Sequence, residues 1–279
     1  MSAASDLPYL LRLLDDNDPA VRPVVSKKLS SFGGDISHDL AALGIQVNLN
    51  QKKHLADMLA AGSRQTLRDE WQIPSGGVLA LGEDWEGFEN ILRQLSDFLH
   101  DGITLRPSMT DSLDMLVEEV LEDIPVPSAN DLRHWLFIKG TFRGAAKAAD
   151  AEKYFDLSHV IEQREGNPTS LGCIFMLVGQ RLSIQVDGCN YPGHFLNRIS
   201  INGEAHLVDG FHRGRKFNIS ELLDAHPEIS NHAKSAVAQT SHLGVIILRC
   251  LKELESTFVA SGKIDDAELF NELIKTLNT

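Results

Sequence analysis

Three short stretches hold the residues whose types and spacing could do chemistry: Arg164-Glu-Gly-Asn-Pro-Thr-Ser-Leu-Gly-Cys173, Tyr191-Pro-Gly-His-Phe195 and Leu207-Val-Asp-Gly-Phe211. A histidine held by an aspartate is a general base with a fixed tautomer, able to activate a hydroxyl or thiol for acyl transfer. The first stretch reads as a helix start, with Asn167 as N-cap and Pro168 at the first helical position, where its missing N–H costs nothing. Such a terminus offers free N–H groups and the positive end of a dipole, which lower a thiol pKa and can stabilise an oxyanion. The first turn of this helix carries Thr169 and Ser170 and no cysteine.

Two side chains could replace the missing thiol. Ser170 with His194 and Asp209 would form a workable triad, although a serine depends wholly on the histidine as base. Its plainer role is to satisfy backbone donors in the first turn. Cys173 lies on roughly the same face, about 4.5 Å further along the axis, where the dipole acts weakly. A free cysteine there also behaves as a small buried hydrophobe. Asn167, Thr169, Asn190, Pro192 and Gly193 are the expected lining of the site.

The elements that must position these groups can be read from pattern. Leu171 to Leu182 is apolar or small almost throughout, which predicts a helix buried on most sides. Ile201-Asn-Gly-Glu204 is a strong hairpin signal, since Asn-Gly suits a turn with positive φ at both central residues. Pairing Ile201 with Glu204 fixes a ladder that puts Asp209 opposite Leu196 and on the face of His194. The two become diagonal neighbours, close enough for a hydrogen bond. His206 has the opposite parity and is expected to face away. No His-x-x-x-His spacing supports zinc, so neither a metal nor a cofactor is expected.

The remaining pattern is helical. Leu7 to Leu14 is an apolar run ending at Asp15-Asp-Asn-Asp-Pro19, where Asp18 can cap and Pro19 can open the next helix. Val21, Val24, Val25 and Leu29 are expected on its buried face, with Gly33-Gly34 ending it, as in one HEAT-type pair. Further helices are predicted over 50–71, 85–100, 113–124, 132–142, 155–163, 243–256 and 265–277. Arg106-Pro107 suggests a boundary. The chain therefore reads as a helical region over 1–105, a site-bearing core over 106–222 and a helical extension over 223–279.

Composition narrows the function classes. Hydrophobic residues make up 43% and charged residues 23% of the 279 residues, which is ordinary for a globular chain. The net charge of −13 argues against nucleic acid as partner. Three cysteines without regular spacing fit a reducing compartment. The start, Met1-Ser-Ala-Ala-Ser-Asp6, lacks the basic and apolar regions of a secretory signal. No run of about 18 apolar residues suggests a membrane span. A cytoplasmic address and a protein partner are the expectations.

Taken together, Gly166-Asn-Pro-Thr-Ser-Leu-Gly172, Arg181-Leu182, Gly188-Cys-Asn-Tyr-Pro-Gly-His-Phe-Leu196 and Val208-Asp-Gly-Phe211 resemble the transglutaminase-like superfamily. They are most similar to its bacterial SirB-type subgroup, from about Ser112 to Leu222, with Leu136-Phe-Ile-Lys-Gly-Thr-Phe142 and the helix around Ile246 to Leu254 also alike. The resemblance implies a helix-rich α+β fold, with a buried helix on a small antiparallel sheet. It also implies that His194 and Asp209 match the base and its orienting acid. The nucleophilic cysteine would fall around Pro168 to Ser170, and the subgroup's residue there matches Ser170. Gly210 departs from the subgroup's usual proline, and Ala145 to Lys153 lacks its tyrosine- and asparagine-rich segment. A binding or adaptor module without transamidation is the implied function; a hydrolase or acyltransferase using Ser170 or Cys173 is the alternative.

Overall fold

The computed structural model describes residues 6–14, 18, 20–146, 151–225 and 228–278. The chain divides into two compact units, one of Met1–Gln72 with Asp97–Pro107, the other of Ile73–Ser96 with Ser108–Thr279.

In the first unit, α1 (Leu7–Arg12), α2 (Val21–Ser30), α3 (Ser37–Ala42) and α4 (Leu49–Glu70) enclose a core of Leu7, Leu10, Leu14, Val25, Leu29, Leu40, Leu55 and Leu59. Asn48 and Gln51 close a capping box at the start of α4. Val24, expected on the buried face of α2, is 68% exposed; the packed stripe runs through Val25 and Leu29, four residues apart. Gly33 and Gly34 follow α2 with φ of 83° and 93°, and a Cβ on Gly34 would fall 2.5 Å from the Ser63 backbone nitrogen. The Asp18 side chain accepts from the Ala20 N–H at 2.9 Å; the expected helix start at Pro19 and the turn at 15–17 lie outside the described residues.

The second unit begins earlier than the boundary expected at 106. The helices α5 (Gly77–Ala80) and α6 (Trp85–Leu99) place Phe88, Ile91, Leu92 and Leu95 in its interior. Leu243 N–H donates to the Gly82 carbonyl, and Arg181 binds Glu89 at 2.6 Å. Conversely, Ile36 N–H donates to the Gly102 carbonyl, which draws residues 97–107 to the first unit. Hydrogen bonds between distant residues thus tie each of these segments into its own unit.

After α7 (Met109–Asp123), α8 (Ala129–His134) widens into a π-helical turn, Trp135–Lys139. A single helix was expected to Phe142; it stops at Gly140, and Thr141 turns the chain with φ of 61°. The strands β1 (Arg143–Gly144) and β2 (Glu165–Gly166) then pair in parallel. Between them lie a 3-10 turn, Ala151–Phe155, and α9 (Leu157–Gln163), capped by Asp156. Residues 147–150 of the segment that departs from the subgroup lie outside the described residues.

The centre is α10 (Pro168–Arg181), buried from Thr169 to Gly179 as its apolar sequence predicts. Beside it run β3 (Asp187–Cys189), β4 (Leu196–Ile201), β5 (Glu204–Asp209) and β6 (Arg215–Asn218), an antiparallel meander. The observed pairs Ile201↔Glu204, Ile199↔His206 and Asn197↔Val208 are the ladder set by the Asn-Gly turn, whose residues have φ of 54° and 83°. β3 and β6 had not been foreseen; each is four residues or fewer.

The helices α11 (Ile219–Ala225), α12 (Asn231–Ala238), α13 (Leu243–Ser261) and α14 (Ile264–Leu277) complete the same unit. They are no separate extension beyond 222: Ser241 N–H donates to the Gly188 carbonyl, and Arg198 binds the Val237 carbonyl. The α+β, helix-rich architecture expected from the sequence is therefore the one observed. Among the described residues, no helix is long and apolar enough to cross a membrane.

Candidate functional site

The N-terminus of α10 is built from its own sequence. Asn167 Oδ1 accepts the Ser170 N–H at 2.8 Å, Pro168 occupies the first position, and the Asn167 amide donates to the Tyr154 carbonyl. Gly172 lets the sheet come close: a Cβ there would lie 2.4 Å from the Phe195 ring. Asn197, buried on β4, donates to the Gly172 carbonyl at 3.1 Å.

His194 sits in the bend two residues before β4 begins. Tyr191-Pro-Gly-His194 forms a turn in which Gly193 has φ of 76° and His194 N–H returns to the Tyr191 carbonyl. Proline followed by a glycine at positive φ is the signature of a type II turn. The turn is clamped from α13, where Arg249 donates to Asn190 Oδ1 at 2.7 Å and to the Tyr191 carbonyl at 3.0 Å.

The expected pair is formed. His194 Nε2 lies 2.9 Å from Asp209 Oδ1, and Nδ1 of the same ring has no hydrogen-bond partner among the described residues. A third group joins them that sequence reasoning did not place there. His212 Nδ1 lies 2.7 Å from Asp209 Oδ2, and its backbone N–H donates to Oδ1 at 3.1 Å. The two imidazoles stack with centroids 5.7 Å apart, and the Phe211 ring meets His194 edge-on at 5.9 Å. Gly144 N–H holds the Phe211 carbonyl at 2.8 Å, so β1 supports this corner from behind. Burial alone would raise the Asp209 carboxyl, but hydrogen bonds from His194 and His212 outweigh it and hold the group below its usual value. His206 does face its own strand, with Nδ1 against the Glu204 carbonyl. The signal for His212 was its spacing: an aspartate can cap the N–H three residues on and so fold that residue back over itself.

The proposed nucleophiles are placed otherwise. Ser170 is buried and its hydroxyl donates to the Asn167 carbonyl at 3.1 Å. The Thr169 hydroxyl donates to Glu253 at 2.8 Å. Cys173 is fully buried beside Cys250, whose thiol is raised by its hydrogen bond with Cys173 and by burial. Among the described residues, no hydrogen bond joins Thr169, Ser170 or Cys173 to His194. Gly210, where a proline is usual, faces Phe137 of the π-turn; a Cβ there would come within 2.9 Å of that ring.

A groove of about 560 Å³ runs along α13, lined on that side by Val245, Leu248, Arg249, Lys252 and Ser256. Phe155, Pro168, Asn190 and Gly193 form its other wall. Of the residues expected to line the site, Asn190 and Gly193 are in the lining of this groove, and Asn167, Thr169 and Pro192 are not in the lining of this one. Its helical wall lies outside the core as the sequence delimited it.

A family model described as the transglutaminase-like superfamily matches residues 107–252. The chain is 32% identical over 176 residues to a UPF0162 protein of Xylella fastidiosa strain Temecula1, covering 59% of this chain and 60% of that one. It is 29% identical over 120 residues to a UPF0162 protein of Pseudomonas aeruginosa, covering 41% and 44%. The matched part thus spans about 60% of the length of the Xylella relative. No solved structure gives a significant match.

Proposed function

We propose that this chain, which belongs to the transglutaminase-like superfamily, is a member that holds a protein segment in its groove and does not transamidate. The observation that carries this reading is the occupied tip of α10. Both hydroxyls of the first turn are engaged, Thr169 with Glu253 and Ser170 with the Asn167 carbonyl. A nucleophile must be free to meet its base within hydrogen-bond reach, and neither hydroxyl is. The groove along α13 offers apolar Phe155, Val245 and Leu248 beside polar Asn190, Lys252 and Glu253, a lining suited to an extended peptide. The same reading keeps the chain within the SirB-type subgroup and in the cytoplasm, in keeping with three free cysteines.

Two measurements test it. Incubation with a labelled amine and a glutamine donor peptide should give no incorporation; incorporation abolished by Cys173→Ala overturns the reading. Selection from displayed peptides should enrich extended binders that Leu248→Arg rejects. Failure to enrich any, or binding indifferent to that substitution, counts against the groove.

One observation favours the rival, a hydrolase or acyltransferase using Ser170 or Cys173 with His194 and Asp209. The pair is intact, and the His194 side chain is 29% exposed. A fluorophosphonate or iodoacetamide probe would then mark Ser170 or Cys173 far faster than any other side chain, and His194→Ala would suppress the labelling.

A further inference from the structure

We infer that His194, Asp209 and His212 form a binding site for one borderline divalent transition ion of the Zn²⁺ type. Each offers a ligand atom, and the three atoms lie within 4.8 Å of one another. Two imidazoles and one carboxylate are the donor set such ions take, with a fourth position left to water or a ligand. Magnesium and calcium prefer oxygen alone, so the two ring nitrogens exclude them.

The distances fit an ion with little movement. Ligand bonds of about 2.0–2.1 Å in a tetrahedron put neighbouring ligand atoms roughly 3.4 Å apart. His194 Nε2 lies 2.9 Å from Asp209 Oδ1 and His212 Nδ1 lies 2.7 Å from Oδ2, while the three ligand atoms, one from each residue, stay within 4.8 Å of one another, so closing on an ion asks for shifts of roughly 1 Å. The adjustment falls on His212, whose side chain is 62% exposed. Asp209, only 10% exposed at its side chain, is the fixed member, anchored by the His212 N–H.

Nitrogens that now face Asp209 would lose their N–H to the far nitrogen of each ring, Nδ1 of His194 and Nε2 of His212, leaving both imidazoles neutral. The exposed flank of His212 gives the ion its path and leaves the remaining coordination position open to solvent. The inference goes beyond the groove reading and stands whether or not a peptide binds there.

The test uses the full chain, stripped with chelator and titrated with ZnCl₂ in a calorimeter. The expected result is one saturating ion per chain. His212→Ala removes an exposed ligand while leaving the His194–Asp209 bond, so it should fold. It should weaken binding by at least about tenfold, the loss that even an outer partner of a ligand causes. His206→Ala should bind as the parent does. Co²⁺ should give visible absorption bands of a four-coordinate ion, lost in His212→Ala. No saturable uptake at ~100 µM Zn²⁺, or uptake unchanged in His212→Ala, overturns the site.

Discussion

Replacing Asp209 with asparagine isolates the carboxylate that holds both imidazoles. In the parent, Oδ1 and Oδ2 accept from His194, His212 and the His212 N–H at 2.9, 2.7 and 3.1 Å. Asparagine keeps one acceptor and turns an NH₂ toward the other ring, which can answer by changing tautomer. A hydrogen bond to a charged group contributes about 1.5–3 kcal/mol against about 0.5–1.5 for a neutral one, so two ring bonds lose about 2 kcal/mol together. Burying a neutral amide instead of a charge returns part of that, leaving an expected loss of about 1–2 kcal/mol at pH 7. Urea denaturation measures it. The pH dependence has a fixed sign. The folded-state pKa of Asp209 lies below its ordinary value, so its contribution is complete above the unfolded pKa, about 3.9. That contribution then fades as pH falls toward the depressed folded value. The gap between parent and Asp209→Asn should therefore still be present at pH 5 and shrink by pH 3. An unchanged gap at pH 3, or none at pH 7, refutes the reasoning.

Gly172→Ala should destabilise the chain by about 1–3 kcal/mol despite better helix propensity, because the new methyl would press on the Phe195 ring, itself fully buried; thermal melts would show it. Gly203→Ala, at φ of 83° with open space around it, should cost about 1 kcal/mol from backbone strain alone. In native protein at pH 7.5, iodoacetamide should alkylate all three cysteines slowly, since each is buried and burial pushes the Cys189 thiol up to about 11. One fast-reacting thiol in a peptide map would contradict this. Arg249→Met should speed amide exchange over 190–194, the turn that the guanidinium clamps; unaltered exchange would remove Arg249 from its positioning role.

What could be read in the sequence was what short-range rules govern. The Asn202-Gly203 turn fixed the hairpin register as far as Asn197 and Val208; His194 lies beyond that ladder, in the Tyr191–His194 turn, and meets Asp209 from there. Asn167 and Pro168 announced the start of α10, and its apolar run announced its burial. Hidden features depended on contacts far along the chain. Thr169 meets Glu253 across 84 residues, and Arg181 reaches Glu89 across 92. No local pattern encodes such pairings, so the sequence gives no sign that α13 and Ile73–Ser96 share a compact unit with α10. The π-turn at Trp135–Lys139 was also missed, because its apolar periodicity continues that of an ordinary helix. His212 lay in plain view; only its return over Asp209 required three dimensions.

The fastening of the His194 turn to α13 bears on how any shortened version of this chain would behave. Glu253 stands just past residue 252, where the family match stops, and it secures both Thr169 and Arg249. A clone trimmed to the matched borders would keep the arginine yet delete its anchor and the remainder of the helical wall. Studies of an isolated matched segment would then describe a histidine turn whose strap has lost its own anchor, in a cleft missing the far end of one wall.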